Sequence, residues 1–366
     1  MDGSWKSSET RQDYRRLQMN RRFLVALCAL MTLVVVFALT QVSADAQGAN
    51  QRTTNYTPAK TAWGDPDLQG VYTFSTNTPF QRPATLADKN LTLEELEELD
   101  VQRTAALEAD LVNAPAGSLG PSYNFFWESN EKGRLAGGVA LLVDPEDGRL
   151  PPLTPNGEKI RAEIAAQAAA NRIGTPPFVH QLINTWTDHP PYTRCLARPM
   201  PRITQEYNHG LQILQTPGQV VIYYESMHDT RVIPTDGRPH LNQNIRQWNG
   251  DARGRWEGNT LVVDWTNFSP KQAANGSAPF GGMPQVNTRM TERFTKMDAN
   301  TVNYEVTVND PTIWTRPFTF VLPWRSDDEN FQEPEDLYEF ACHEGNYRMM
   351  EDSLNGTRAL KQAQPR

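Results

Sequence analysis

Residues 301–309 run Thr-Val-Asn-Tyr-Glu-Val-Thr-Val-Asn, which puts Val302, Tyr304, Val306 and Val308 on one face and polar residues on the other. A period of two marks a strand with one buried and one wet face. The pattern recurs along the second half of the chain. Leu211 to Gln215 and Gln219 to Glu225 flank Thr216-Pro217-Gly218, and Arg231 to Pro234 is a further short run. Gly254 to Trp256 and Thr260 to Thr266 flank Gly258-Asn259. Arg289 to Met297 precedes the 301–309 run across Asp298-Ala299-Asn300, Trp314, Phe318, Phe320 and Leu322 give another strand on one face, and Leu337 to His343 reads as the last strand. Tight turns between such runs make hairpins. Hairpin succession predicts an antiparallel meander, and closing a meander removes its exposed edges. The expected fold is mainly β, an antiparallel up-and-down barrel, with a β-sandwich as the alternative.

The first half of the chain reads differently. Val71 to Phe74 and Gly138 to Val143 are expected strands. Gly70-Val71-Tyr72 resembles the Gly-x-Trp opening of lipocalins, which makes a lipocalin-like barrel the expected form. Leu91 to Leu111 is an expected helix, with Thr92 and Glu95 as a capping box and Leu96, Leu99, Leu107 and Leu111 along one stripe. Thr154 and Pro155 open a second helix running to about Arg172. The aromatic run Tyr123 to Trp127 suits a core or a pocket wall. The acids of Asp144-Pro145-Glu146-Asp147-Gly148 lack the spacing of a calcium loop and read as a turn. Residues 174–200 are rich in proline and read as loop.

The N-terminus reads as an address. Arg15, Arg16, Arg21 and Arg22 precede an apolar run from Phe23 to Leu39, and Ala44-Asp45-Ala46 supplies a small-residue cleavage site. A signal peptide over 1–46, a linker over 47–62 and one β-rich domain over 63–366 are expected, with a periplasmic or secreted location. An uncleaved segment is the alternative, and is the only membrane contact expected. The whole chain carries a net charge of −8, while residues 1–46 hold six basic and four acidic side chains. The remainder is therefore strongly acidic, which argues against a nucleic-acid partner. Cys195 and Cys342 are left as a pair, and in an oxidising compartment a disulfide between them is expected. Closing so long a loop contributes roughly 4 kcal/mol through chain entropy.

Four phrases carry a further resemblance: Pro66-Asp67-Leu68-Gln69-Gly70-Val71-Tyr72, Asp236-Gly237-Arg238-Pro239-His240, Gly250-Asp251-Ala252-Arg253-Gly254-Arg255-Trp256-Glu257-Gly258 and Ala341-Cys342-His343-Glu344-Gly345-Asn346-Tyr347. They resemble a family of secreted bacterial proteins of undefined function. The resemblance implies export and one integrated domain, and it implies no activity, cofactor or catalytic residue.

Chemistry-bearing side chains gather between Glu225 and Glu257 and again at Cys342-His343-Glu344. His228, His240, His343 and Asp251 are the catalytic candidates, since a histidine beside a carboxylate is the usual acid–base unit. His228 has Asp229 beside it, and His240 has Asp236. Asp264 faces either a cavity or solvent, depending on which side Leu261 takes. Glu225, Arg231, Arg246, Trp248, Arg253, Trp256 and Glu344 are binding candidates. Arginines interleaved with Trp248, Trp256 and acids are also a means of clasping a loop across a barrel mouth. No metal is assigned. Glu225, His228 and His240 form only a weak ligand set, and the blander expectation is that Glu225 pairs with an arginine. No Gly-x-Ser-x-Gly, Gly-x-Gly-x-x-Gly or P-loop is present, so a serine hydrolase and a dinucleotide or phosphate cofactor lack a signature, and the cofactor stays open. The first functional expectation is an exported barrel that binds a small, largely apolar molecule. The alternatives are an acid–base enzyme (isomerase, dehydratase or hydrolase) on the same barrel, and a structural protein of the envelope.

Overall fold

The computed structural model describes residues 56–86, 91–92, 94–99, 101–102, 135–173, 180–203, 208–272, 280, 283, 286–326, 337–340 and 342–363. These lie in one compact unit, Asn55–Arg366. The signal segment, the Tyr123 to Trp127 cluster and the second half of the first expected helix fall outside them. Residues 94–99 and 101–102 are helical, and both halves of the capping box form: the Thr92 amide donates to Glu95 Oε2 at 2.7 Å and the Glu95 amide to Thr92 Oγ1 at 3.2 Å.

Twelve strands are described: β1 (Gly70–Thr73), β2 (Leu142–Asp144), β3 (Arg172–Ile173), β4 (His180–Gln181), β5 (Gly210–Thr216), β6 (Gln219–Tyr224), β7 (Thr230–Pro234), β8 (Asp251–Glu257), β9 (Thr260–Thr266), β10 (Arg289–Lys296), β11 (Thr301–Asn309) and β12 (Phe318–Arg325). The chain is mainly β. Ten strands form one antiparallel sheet in the order β7-β6-β5-β1-β12-β11-β10-β9-β8, with β2 added to β12. The expected meander is present over β5–β7 and β8–β12. Two-residue turns pair Thr216 with Gln219 and Glu257 with Thr260, and Gly218 and Gly258 take the left-handed backbone those turns need. Strand β1 joins the two halves, pairing with β5 on one side and at Thr73 with β12 on the other.

The two ends of the sheet meet without pairing. A Cβ at Gly254 on β8 would lie 2.9 Å from Ile233 Cγ2 on β7 and 3.0 Å from Thr235 Cγ2. Side chains therefore fill the seam, but among the described residues no ladder joins β7 to β8. The sheet is curled and open along this line.

The alternation read from sequence sets the inward face. Val302, Tyr304, Val306 and Val308 are buried, as are Leu261, Val263 and Trp265 on β9, and Phe318, Phe320, Leu322 and Trp324 on β12. Tyr304 stacks on Phe294 with centroids 5.0 Å apart and on Trp324 at 4.5 Å. Each such side chain contributes roughly 1.5–3 kcal/mol through burial.

Two longer helices are described. In α1 (Pro155–Ala170), Thr154 Oγ1 caps the Gly157 amide at 3.0 Å. Gly157 lets the helix start lie against the sheet, because a Cβ there would come 2.5 Å from the Ile313 carbonyl oxygen. The helix stops at Ala170, and Arg172 belongs to β3 rather than to the helix.

Helix α2 (Cys342–Ala363) corrects the reading of a last strand at Leu337 to His343. Its less exposed positions, 346, 350, 353, 354, 357 and 360, recur at helical spacing. Cys342 and Cys195 are disulfide-bonded with Cα atoms 5.9 Å apart. Thr357 Oγ1 accepts the Ile183 amide at 2.9 Å, and Lys361 bonds Asn184. The bridge therefore ties a C-terminal helix, not a strand, to the 183–200 segment. Among the described residues no helix is long and apolar enough to cross a membrane.

Candidate functional site

The β6–β7 turn and the start of β8 are linked side chain to side chain. After Tyr224 the chain bends sharply, with Met227 and His228 at φ +66° and +50°. Such a conformation costs roughly 1–2 kcal/mol per non-glycine residue and persists only where packing enforces it. Met227 packs with Phe340 and Cys342, beneath the disulfide. The Arg202 guanidinium donates to the Ser226 carbonyl at 3.0 Å and pairs with Asp229. Asp229 also accepts from the Asn249 side chain. Burial pushes the Asp229 carboxyl up, against the pull of Arg202, and it lowers Arg202 to about 10 with Asp229 opposing. Neither charge is cheap to hold there, so the pair depends on its geometry.

Asn249 ends the long loop from Thr235 to Gly250. The loop is exposed over most of its length yet closely pinned. The Trp265 indole donates to the Asn249 carbonyl at 2.6 Å, and Asn267 Nδ2 donates to the carbonyls of Leu241 and Asn242 at 3.0 and 3.3 Å. Arg246 donates to the carbonyls of Phe268 at 3.2 Å and Val286 at 2.6 Å. Asp251 is the central acceptor. Its Oδ2 takes the Leu241 amide at 3.0 Å and meets His240 Nδ1 at 2.7 Å, while Oδ1 takes Arg253 at 2.7 Å. Arg253 Nε in turn donates to the Pro239 carbonyl at 2.8 Å. Leu241 and Ile245 point outward, 38% and 52% exposed, and Trp248 is half-buried.

Comparison with protein-family models, curated proteins and solved structures finds no match. The site rests on its own geometry.

Several expected pairings change partner. His240 meets Asp251, and Asp236 forks to Arg238 instead. His228 is exposed, and its neighbour Asp229 is taken by Arg202. Glu225 is buried and accepts from Asn208 Nδ2 at 2.5 Å and from the Gly210 amide at 3.2 Å. Leu261 faces the core, so Asp264 is a surface charge, 51% exposed, paired with Arg255. Trp256 packs on the core, and Arg255 and Arg293 fork to Glu257 on the outer face. Among the described residues no group of three or more His, Cys, Asp or Glu is placed to hold a metal ion, so Glu225, His228 and His240 are not brought together as ligands. The side chains of His343 and Glu344 lie outside the described residues.

Arg231 occupies a place of its own. It points into the core, forks to Glu292 at 3.0 and 2.6 Å, and lies with its guanidinium carbon 3.8 Å from the centre of the Trp265 ring. Glu292 is 0% exposed and also accepts from the Tyr304 hydroxyl. Burial, then Glu292, raises the Tyr304 hydroxyl well above its ordinary range, so it stays a donor. Burial alone lowers Arg231, but Glu292 beside it raises it overall and keeps it charged. Glu292 is absent from the sequence candidates although it stands between Met290 and Phe294 in an inward file, where an acid is out of place. Arg202 and Asn249 are absent too, because only the curl of the sheet brings them to Asp229.

Proposed function

We propose that the chain is an exported, lipocalin-like barrel that binds a small, largely apolar molecule at the pinned loop, with His240 at the polar end of the ligand. The reading of a barrel draws support from the contact of Ile233 with the Gly254 position across the seam. The basic, apolar and Ala-x-Ala succession before Gln47 and the Cys195–Cys342 bridge favour export. The interior is filled by aromatic rings around Arg231 and Glu292, which favours a ligand site at the end of the barrel over one inside it. The observation that carries the reading is the loop itself. Sixteen residues without a core of their own are fixed by Asp251, Asn267, Arg246 and Trp265, and they hold Leu241 and Ile245 out to water. Ordered loops that display apolar side chains are where binding concentrates.

Titration with the apolar fluorophore N-phenyl-1-naphthylamine tests this. Saturable binding is expected, weakened about fivefold or more in Leu241→Ser/Ile245→Ser, whose exposed positions leave folding intact. His228→Ala is expected to bind as the parent does. Absence of saturable binding, or undiminished binding in the double variant, overturns the reading. An acid–base enzyme is the second reading, and the carboxylate behind the His240 ring is the observation that favours it.

A further inference from the structure

We propose that the molecule held by this loop carries a hydroxyl group, and that His240 accepts its proton in a hydrogen bond at Nε2. The inference rests on the binding reading above and narrows it to a ligand class.

Asp251 opens β8 and is buried, and the Leu241 amide and Arg253 approach it as donors. A carboxylate so surrounded is an acceptor only. The group facing its Oδ2 at 2.7 Å, His240 Nδ1, is then the donor. A neutral imidazole has one N–H. With the proton fixed on Nδ1, Nε2 presents a lone pair, as when a carboxylate sets the tautomer of a catalytic or metal-binding histidine. A free surface histidine exchanges its proton between the two nitrogens, and this one is held to a single form.

That lone pair has an outlet. The ring is 29% exposed, and Nε2 has no hydrogen-bond partner among the described residues. The ring cannot swing away cheaply, since Asp251 is itself fixed by the next residue's amide and by Arg253, whose Nε is anchored on Pro239. Beside it stands Leu241 with its side chain outward. A fixed acceptor next to apolar surface selects a neutral donor on an apolar body, and among neutral donors the O–H of an alcohol or a phenol makes the shorter bond. A ketone, an ether or an ionised acid brings no proton to it. One net hydrogen bond at a partly wet site corresponds to about a fivefold preference.

The intact, oxidised full chain is titrated with 2-naphthol and with 2-methoxynaphthalene, which differ by the hydroxyl proton. The expected result is about fivefold tighter binding of 2-naphthol. In His240→Phe the two probes bind alike. In Asp251→Asn, where the tautomer is no longer fixed, the ratio between the two affinities falls toward one, whatever the change in absolute binding. Asp251 is buried, so a loss of folding in that variant leaves the surface variant His240→Phe to decide. Equal binding of both probes to the parent, or a preference that survives His240→Phe, overturns the hydroxyl inference alone. If neither probe binds, the binding reading beneath it falls as well.

Discussion

Arg231 and Glu292 carry opposite charges in the buried core, and the two charges depend on each other. Removing one leaves the other buried and unmatched, at a cost of about 3–5 kcal/mol, whereas replacing both with apolar residues of like volume is often neutral or stabilising. Glu292→Leu is accordingly expected to lose about that much stability in denaturant unfolding, and Arg231→Met/Glu292→Leu to recover most or all of it. A single variant as stable as the parent would refute the account. Glu292 was not singled out from sequence, although its position held a signal. Glu292 sits in a Met-x-Glu-x-Phe file whose neighbours must face inward. Arg231 was named as a binding candidate, but its inward course was not legible, because Thr-Arg-Val-Ile-Pro offers an apolar residue to either face, and only the structure puts Val232 outside at 51% exposure.

Helix α2 and the segment that supports it form an element with its own pH response. His189 is buried, bonds the backbone of Met350 and has a buried Nε2 without a partner among the described residues. Burial lowers its pKa below the ordinary 6.5, aided by Arg194 and opposed by Asp188 and the Met350 bond. The unfolded chain then binds the proton more readily than the folded one. The contribution of His189 is intact above about pH 6.5 and is lost as the pH falls through the window beneath it. Amides of α2 are expected to exchange faster at pH 5.5 than at pH 7.5 after correction for the intrinsic rate, and His189→Phe to flatten that difference. An unchanged profile in the variant would assign the pH response elsewhere. The alternating strands were legible because their period is local, and Thr260 to Thr266 and Thr301 to Asn309 have the observed bounds. Helix α2 was missed because the apolar spacing of Leu337, Phe340 and Cys342 imitates a strand before the helical spacing from Asn346 begins.

At the scale of the molecule, stability is unevenly distributed around the sheet. Strands β9 to β12 are laddered on both sides and share the aromatic core, whereas β7 and β8 meet through side chains alone. Opening that line breaks no backbone ladder, so it is the least costly deformation of the sheet. Hydrogen exchange is expected to lose protection first at the amides of β7 and β8 that face the seam, and last in β11. Equal protection in β8 and β11 would mean that the seam is as strong as a ladder.

What the sequence determined alone is what neighbours along the chain can dictate: the period-two faces, the two-residue turns, the capping box at Thr92, the helix start at Thr154, and the choice of Asp251 and His240 as residues with chemistry to offer. Cys195 and Cys342 were legible as a pair for a different reason, being the two cysteines left beyond the apolar N-terminal run. What only the tertiary structure decided is who meets whom. Asp251 rather than Asp236 stands behind His240, Arg202 reaches Asp229, and Arg231 crosses the core to Glu292. Each partnership joins residues from strands or loops that the curl of the sheet superposes, and a local pattern holds no record of that curl. A charged side chain is matched by whatever carboxylate the packing brings within about 3 Å, and nearness in sequence gives it no advantage.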